Sequence, residues 1–167
     1  RNTCTGCTAC YAICPKHAIQ MEPDAEGFLQ PVINETLCVH CGLCEQICPV
    51  LNPGEVREPL AVYAARAKDV ALRLNSSSGG IFSLLAREVI KKGGVAYGAG
   101  WKCSEIRVVH KSAENEEQLA DLRGSKYVQS DIGDTFFDVK QQLNAGRYVL
   151  FSGCPCQVAG LKAFLRK

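Results

Sequence analysis

Eight of the eleven cysteines of this 167-residue chain fall in its first 48 positions, in two runs of one pattern. Cys4, Cys7, Cys10 and Cys14 are followed by Pro15, and Cys38, Cys41, Cys44 and Cys48 by Pro49. Each member of the second run lies 34 positions after its counterpart in the first. Three thiolates at such short intervals can hold three corners of an iron–sulfur cubane, with a fourth cysteine one step further on. Disulfides need specific Cα separations, and two tandem triplets offer no sensible pairing set. Zinc sites are built from separated pairs rather than from triplets with a lone fourth ligand. The pattern therefore points to two 4Fe–4S clusters.

The repeated C-x2-C-x2-C-x3-C-P spacing is that of two-cluster bacterial ferredoxins, where the fourth cysteine of each run serves the other cluster. On that rule one cluster takes Cys4, Cys7, Cys10 and Cys48, and the other Cys38, Cys41, Cys44 and Cys14. The crossing clips the half-repeats together, and metal binding supplies folding free energy to a module too short to bury much apolar surface. Cys14 and Cys48 are expected at helix starts, with Pro15 and Pro49 in the first turn. Residues 17–21 and 28–33 read as two short strands around a turn at 23–27, covering the clusters.

The rest of the composition is ordinary. Charged residues make up 22% and the AVILMFWYC set 47%, which excludes a disordered tail. No apolar run approaches the ~18 residues of a spanning helix, and a formal charge of +2 carries no nucleic-acid footprint. Coordinated thiolates and oxidised cluster cores would shift that charge to about −2. Thiolate clusters imply a reducing compartment, so a cytoplasmic location is expected. The chain opens at Arg1 and stops at Arg166-Lys167 inside an apparent helix, and reads as a fragment.

These cysteines occupy residues 1–51, and residues 52–59, with prolines, glycine and charges, read as a linker. Residues 60–167 then alternate β and α signals, as the opening of an α/β domain. Residues 60–67 read as a strand, and 81–92 as an amphipathic helix with Ile81, Leu84, Leu85 and Val89 on its inner face. Gly93-Gly94 ends that helix. Strands are expected at 95–100 and 105–110, a short helix at 115–122 with Asn115 and Gln118 in a capping box, and a helix at 132–144. Phe136, Val139 and Leu143 should point inward there. A buried strand at 148–151 and a helix at 155–167 follow. The fold class is α+β: a ferredoxin-like two-cluster module followed by a partial α/β domain.

Two loop-to-helix junctions could carry chemistry. Ser76-Ser77-Ser78-Gly79-Gly80 precedes a helix, where small residues expose amides to a phosphate; local sequence alone favours a serine N-cap with a flexible hinge. Ser152-Gly153-Cys154-Pro155-Cys156-Gln157 follows a strand, where α/β sheets bind ligands. A cysteine at a helix N-terminus leans toward thiolate, although a tight turn with proline at N1 also fits.

The cysteine module, then SSSGGIFSLLAREVIKKGGVAYGA, LRGSKYVQS and VLFSGCPCQVAGLKAFL, resembles the family of coenzyme F-420 hydrogenase/dehydrogenase beta subunits through nearly the whole chain. The resemblance implies an iron–sulfur flavin-dependent oxidoreductase, with FAD in the α/β domain exchanging electrons with the clusters and with a soluble substrate, a deazaflavin in named relatives. By position, Ser77, Ser78, Gly79 and Gly80 would approach the flavin or its phosphates. Lys126 and Tyr127 would line the same cavity, and Gly153, Pro155, Cys156 and Gln157 would form a wall, Cys156 being a weak catalytic candidate. Cys154 stands where the family usually has threonine. Ferredoxin or another redox subunit is the implied partner. The reading from another class is a non-enzymatic electron-transfer subunit of a larger redox complex, whose C-terminal part binds no flavin.

Five further residues are expected to play structural or supporting parts only. Cys103 reads as a buried or half-buried thiol and Trp101 as core. His17 and His110 have no metal-ligand spacing, and His40, between two ligand cysteines, would tune or shield a cluster.

Overall fold

The computed structural model describes residues 3–55 and 58–166. It divides into two compact units, one of Arg1–Glu55, Asp131–Asp138 and Gly153–Lys167, the other of Val56–Ser130 and Val139–Ser152. The cysteine repeat thus shares its unit with two segments from far along the chain.

In the first unit the two cysteine runs adopt the same backbone. Gly6 and His40, at equivalent repeat positions, both take left-handed conformations (φ 64 and 52), as do Thr8 and Gly42 (φ 69 and 72). Each run places glycine at one of these two positions and an L-residue at the other, which carries about 1–2 kcal/mol of local strain. Left-handed residues at such intervals curl a loop, as in the backbone nests around phosphates and iron–sulfur sites. One helical turn follows each loop, α1 (Ala9–Ile13) and α2 (Leu43–Ile47).

Cys14 and Cys48 are the C-caps of these helices, not the first residues of new ones. Pro15 and Pro49 therefore stop a helix, a position that suits a residue lacking an amide hydrogen. The expected hairpin is present as β1 (Ile19–Pro23) and β2 (Leu29–Ile33), antiparallel with Ile19 opposite Ile33. Its turn is held by Asp24, whose carboxylate accepts from the Glu26 and Phe28 amides.

The second unit is built on a three-stranded sheet in the order β4-β3-β5. β3 (Val95–Lys102) pairs antiparallel with β4 (Arg107–Ala113) and parallel with β5 (Val149–Phe151). A single 3-10 turn at Cys103–Glu105 joins the first two, so β4 starts later than the sequence suggests. Residues 60–67 form no strand: Leu60, Val62 and Tyr63 are exposed in irregular backbone, and a short helix, α3 (Val70–Leu74), follows with Asp69 as N-cap. β5 is half-buried over three residues, with Tyr148 outside it and exposed.

α4 (Ile81–Lys91) ends as expected at Gly93, which is left-handed (φ 74). Its inward face is not the expected one. Ser83 and Ala86 are buried, Phe82 and Ile90 pack against the core, and Ile81, Leu84 and Leu85 face outward. The core beneath is Ala86, Ala96, Ala113, Leu119 and Leu122, so small residues let α4 approach the sheet closely. α5 (Glu116–Leu122) contributes the two leucines and is capped by Asn115, which accepts from the Gln118 amide at 2.9 Å, while Gln118 Oε1 accepts from Glu114 N.

Arg123 links these helices. Its Nε donates to the buried Ser83 hydroxyl at 3.1 Å, and its guanidinium pairs with Glu116, which also holds Arg87 through two bonds of 2.8 and 2.7 Å. The hydrogen bond from Arg87, together with that from Arg123 and the charge of both, brings the Glu116 carboxyl down to about 2. Trp101 and Cys103 are exposed, against expectation, on the outer end of β3 and the turn after it. α6 (Thr135–Asn144) starts three residues later than predicted, with Phe136 and Val139 buried and Leu143 half-buried. α7 (Pro155–Leu165) closes the described chain.

Candidate functional site

All eleven cysteines are free. Those of the repeat gather around two cavities, and each cavity draws on both runs. One, of about 660 Å³, is lined by Cys4, Cys7 and Cys10 together with Cys44 and Cys48. The other, of about 230 Å³, is lined by Cys38, Cys41 and Cys44 together with Cys14. The crossing has a local cause. Each single-turn helix carries its C-capping cysteine away from its own loop, and the two helices pack against each other.

Burial pushes the Cys10 thiol up to about 12, with the neighbouring Cys7 adding to it. Cys7 is raised by burial and then, against a lowering bond from the Ala9 amide, by the charges of Cys48, Cys156 and Cys4. Burial also raises Cys44. Without metal, thiolates so crowded repel one another and the site holds protons; a cation that takes these ligands must displace them. Amide donors meet the sulfurs, Gly6 N to Cys4 Sγ at 3.5 Å and Ala18 N to Cys14 Sγ at 3.3 Å. A soft, thiol-rich, amide-lined pair of cavities fits iron–sulfur clusters. His40 lies beside the second cavity, its Nδ1 4.0 Å from Cys38 Sγ, with Glu35 nearby and both exposed.

The second group of expected site residues is brought together in part. Ser125 donates to the Ser77 hydroxyl at 3.1 Å, joining the S-S-G-G block to the G-S-K-Y block. Ser77 and Ser78 are exposed at the entrance to α4, whose N-cap is Gly80 in a left-handed conformation (φ 78). Gly79 has a different duty from the one its sequence suggests. A Cβ there would stand 2.6 Å from the Ala65 carbonyl oxygen, and the Gly79 carbonyl accepts from Ala67 N at 2.7 Å. The missing side chain makes room for the chain's own backbone. Lys126 turns back to cap α5, donating to the Arg123 and Asp121 carbonyls at 2.7 and 3.2 Å, and burial lowers its pKa. Tyr127 is 95% exposed. Ser77, Ser78 and Ser125 thus leave their hydroxyls exposed before the eleven-residue α4, while Gly79 serves the chain's own backbone.

The third block lies in the first unit. Cys154 is the N-cap of α7, and Gln157, 4% exposed, accepts from the Cys154 amide at 2.9 Å. Gly153 and Pro155 are exposed and Cys156 is half-buried.

Sequence reasoning missed a buried polar pair in the second unit. His110 Nδ1 lies 2.8 Å from Ser130 Oγ, its Nε2 lies 3.1 Å from the Ser152 carbonyl oxygen, and its ring stacks on Phe151 at 5.1 Å. A lone histidine in an alternating strand gives no signal for such partners.

Comparison with known proteins resolves the first site. Residues 3–52 match the family described as a 4Fe-4S dicluster domain. The N-terminal module is of the ferredoxin type. Its 34-position repeat, its doubled left-handed loop and its paired cavities are thus those of an iron–sulfur electron-transfer module. The likeness extends further in one case: the chain is 26% identical over 172 positions to a subunit of the F(420)H(2) dehydrogenase of Methanosarcina mazei, across 93% of this chain and 46% of that protein. Shorter matches, confined to about a quarter of the chain, are the ferredoxin-type protein NapF of Haemophilus influenzae, 41% identical over 44 positions and 25% of its length, and a polyferredoxin-like protein of Methanocaldococcus jannaschii, 35% identical over 57 positions and 34% of its length. The chain spans less than half the length of these curated relatives. Among the described residues no helix is long and apolar enough to cross a membrane.

Proposed function

We propose that this chain is the two-cluster part of an iron–sulfur flavoprotein oxidoreductase, relaying electrons between its 4Fe–4S clusters, FAD and a soluble carrier of the deazaflavin kind. The single observation that carries the electron-relay half of this reading is the crossed lining of the two cavities. Cys4, Cys7, Cys10 and Cys48 would hold one cluster, and Cys38, Cys41, Cys44 and Cys14 the other. Each cluster supplies reversible one-electron transfer when bound. The protein contributes the rest: four deprotonated thiols per site, amide donors that stabilise their charge, and a hairpin flank that limits water.

The flavin half rests on the family resemblance, on the match to a dehydrogenase subunit over 93% of the chain, and on the meeting of Ser77 with Ser125. FAD would supply the step between one- and two-electron chemistry. Ser77, Ser78 and Ser125 would take its phosphates at the start of α4, and Cys156 remains the weak catalytic candidate. A ferredoxin or another redox subunit is the partner that one-electron centres require, in a reducing, cytoplasm-like compartment.

The competing reading, a non-enzymatic electron-transfer subunit, is favoured by Gly79, whose backbone contact needs no ligand. One preparation separates them. Anaerobically purified protein should carry about eight iron and eight sulfide per chain and release FAD on denaturation, near one per chain. Full iron with no flavin would establish the electron-transfer subunit instead.

A further inference from the structure

α7 is the element of the first unit that the cysteine repeat does not account for. It lies directly on a ligand cysteine. A Cβ built on Gly160 would stand 3.1 Å from Cys7 Sγ and 3.2 Å from both Cys7 Cβ and the Cys7 carbonyl oxygen. Gly160 is buried and Cys7 is 8% exposed. The helix is pinned there by its other end. Phe164, 4% exposed, stacks on Phe136 at 6.0 Å and meets Phe137 edge-on at 5.6 Å. Phe137 in turn meets the ring of Tyr11 on α1, whose hydroxyl donates to Asp134 at 2.8 Å.

The two halves of the repeat are therefore unequal. Cys41 occupies the position equivalent to Cys7 in the second run and is exposed. The backbones of the two loops match, so the difference arises from what covers them.

Resting on the two-cluster reading above, we propose that Gly160 is a positioning residue: its bare backbone lets α7 seat against Cys7 and keeps water from that one ligand of the first cluster, while the equivalent ligand of the second, Cys41, stays exposed. Solvent exclusion around a site controls both access to it and its redox potential. One-electron reduction adds negative charge, so the cluster with the covered ligand is the harder to reduce and the slower to give up iron.

The test uses anaerobically prepared holoprotein and a strong iron chelator, with a redox titration on the same samples. Iron should leave in two phases of equal size, and Cys14→Ser, which removes a ligand of the second cluster, should retain only the slow one. Gly160→Ala should accelerate the slow phase about tenfold, raise the lower midpoint potential, and leave the fast phase and upper potential unchanged. Phe164→Leu, which loosens the ring cluster without adding atoms beside Cys7, should shift the same phase less, and it decides the matter if the alanine variant fails to fold. Release in a single phase, or a variant that alters both phases equally or neither, overturns the proposal. Wild-type iron far below eight per chain would instead overturn the two-cluster reading on which it rests.

Discussion

Ser125 donates a hydrogen bond to Ser77 at 3.1 Å, between residues 48 positions apart. Both hydroxyls are exposed before α4, where the proposed flavin-phosphate site would use them. Removing both, as Ser77→Ala with Ser125→Ala, should weaken FAD retention about tenfold, the loss of one to two net hydrogen bonds. Flavin and iron measured on the same sample give the answer, since iron should stay at the wild-type level. Unchanged flavin would free the pair from that role.

Gly79 should behave as a packing residue. With Ala65 O only 2.6 Å from where its Cβ would sit, Gly79→Ala should destabilise the second unit by about 1–3 kcal/mol, seen in denaturant unfolding followed by the fluorescence of Trp101. The loss should appear whether or not flavin is bound. A variant as stable as wild type but empty of flavin would move Gly79 back into a phosphate cradle.

Cys14→Ser should damage the cluster whose other ligands are Cys38, Cys41 and Cys44, leaving its sequence neighbours Cys4, Cys7 and Cys10 loaded. Electron paramagnetic resonance of the reduced protein, compared with Cys38→Ser, checks this, because the two variants should show the same remaining signal. Matching spectra from Cys14→Ser and Cys4→Ser would defeat the crossed assignment.

The repeat was the most legible feature of the chain because its message is chemical. Spacing alone groups Cys4 with Cys48 and Cys14 with Cys38, and the cavities group them likewise. Local stops such as Gly93 and caps such as Asn115 were legible for similar reasons, since their duty is discharged within a few residues. Burial choices were not. α4 is apolar on two sides, and which side faces the sheet depends on Ser83 and Ala86 fitting under Arg123 and over Ala96, partners that lie far away in sequence. The expected strand at 60–67 has β-type residues but pairs with no strand among the described residues, and strand propensity without a partner strand makes no strand. α7 is apolar nearly all round, so nothing in its pattern singles out Gly160 as the contact with Cys7.

Acid should loosen the second unit in a definite range. Glu116 has its folded carboxyl at about 2 against an ordinary 4.5, held down first by Arg87 and then by Arg123. A depressed carboxyl contributes stability above its unfolded value, and that contribution fades as pH falls from about 4.5 toward 2. Half of the Glu116 side chain is solvent-exposed, so screening holds the effect below about 1 kcal/mol. Glu116→Gln should be less stable than wild type at neutral pH, and the two should converge across that interval in urea unfolding at low salt. Parallel curves down to pH 2 would rule the ion pair out as the cause.

Cys154→Thr should be silent for cofactors and mildly favourable for folding. Threonine is a better N-cap than cysteine, and the side chain here is exposed at the first turn of α7, so a gain of about 0.5 kcal/mol is expected. Cys156→Ala, at a half-buried position in the first turn of α7, should retain iron and lower turnover with an artificial acceptor. Severe loss of activity from both substitutions would show a working thiol pair.

The scattered make-up of the first unit has a consequence for synthesis. Every ligand cysteine has been translated by residue 48, whereas the helix that rests on Cys7 begins at Pro155. At the usual pace of a ribosome, on the order of 10 residues per second, the nascent thiols stand uncovered for roughly ten seconds before α7 emerges. On the covering proposed for α7, iron and sulfide would reach Cys7 in that interval more readily than afterwards. Maturation in the cell thus becomes a race between cluster delivery and elongation, and a pause in translation ahead of residue 155 would raise the share of fully loaded protein.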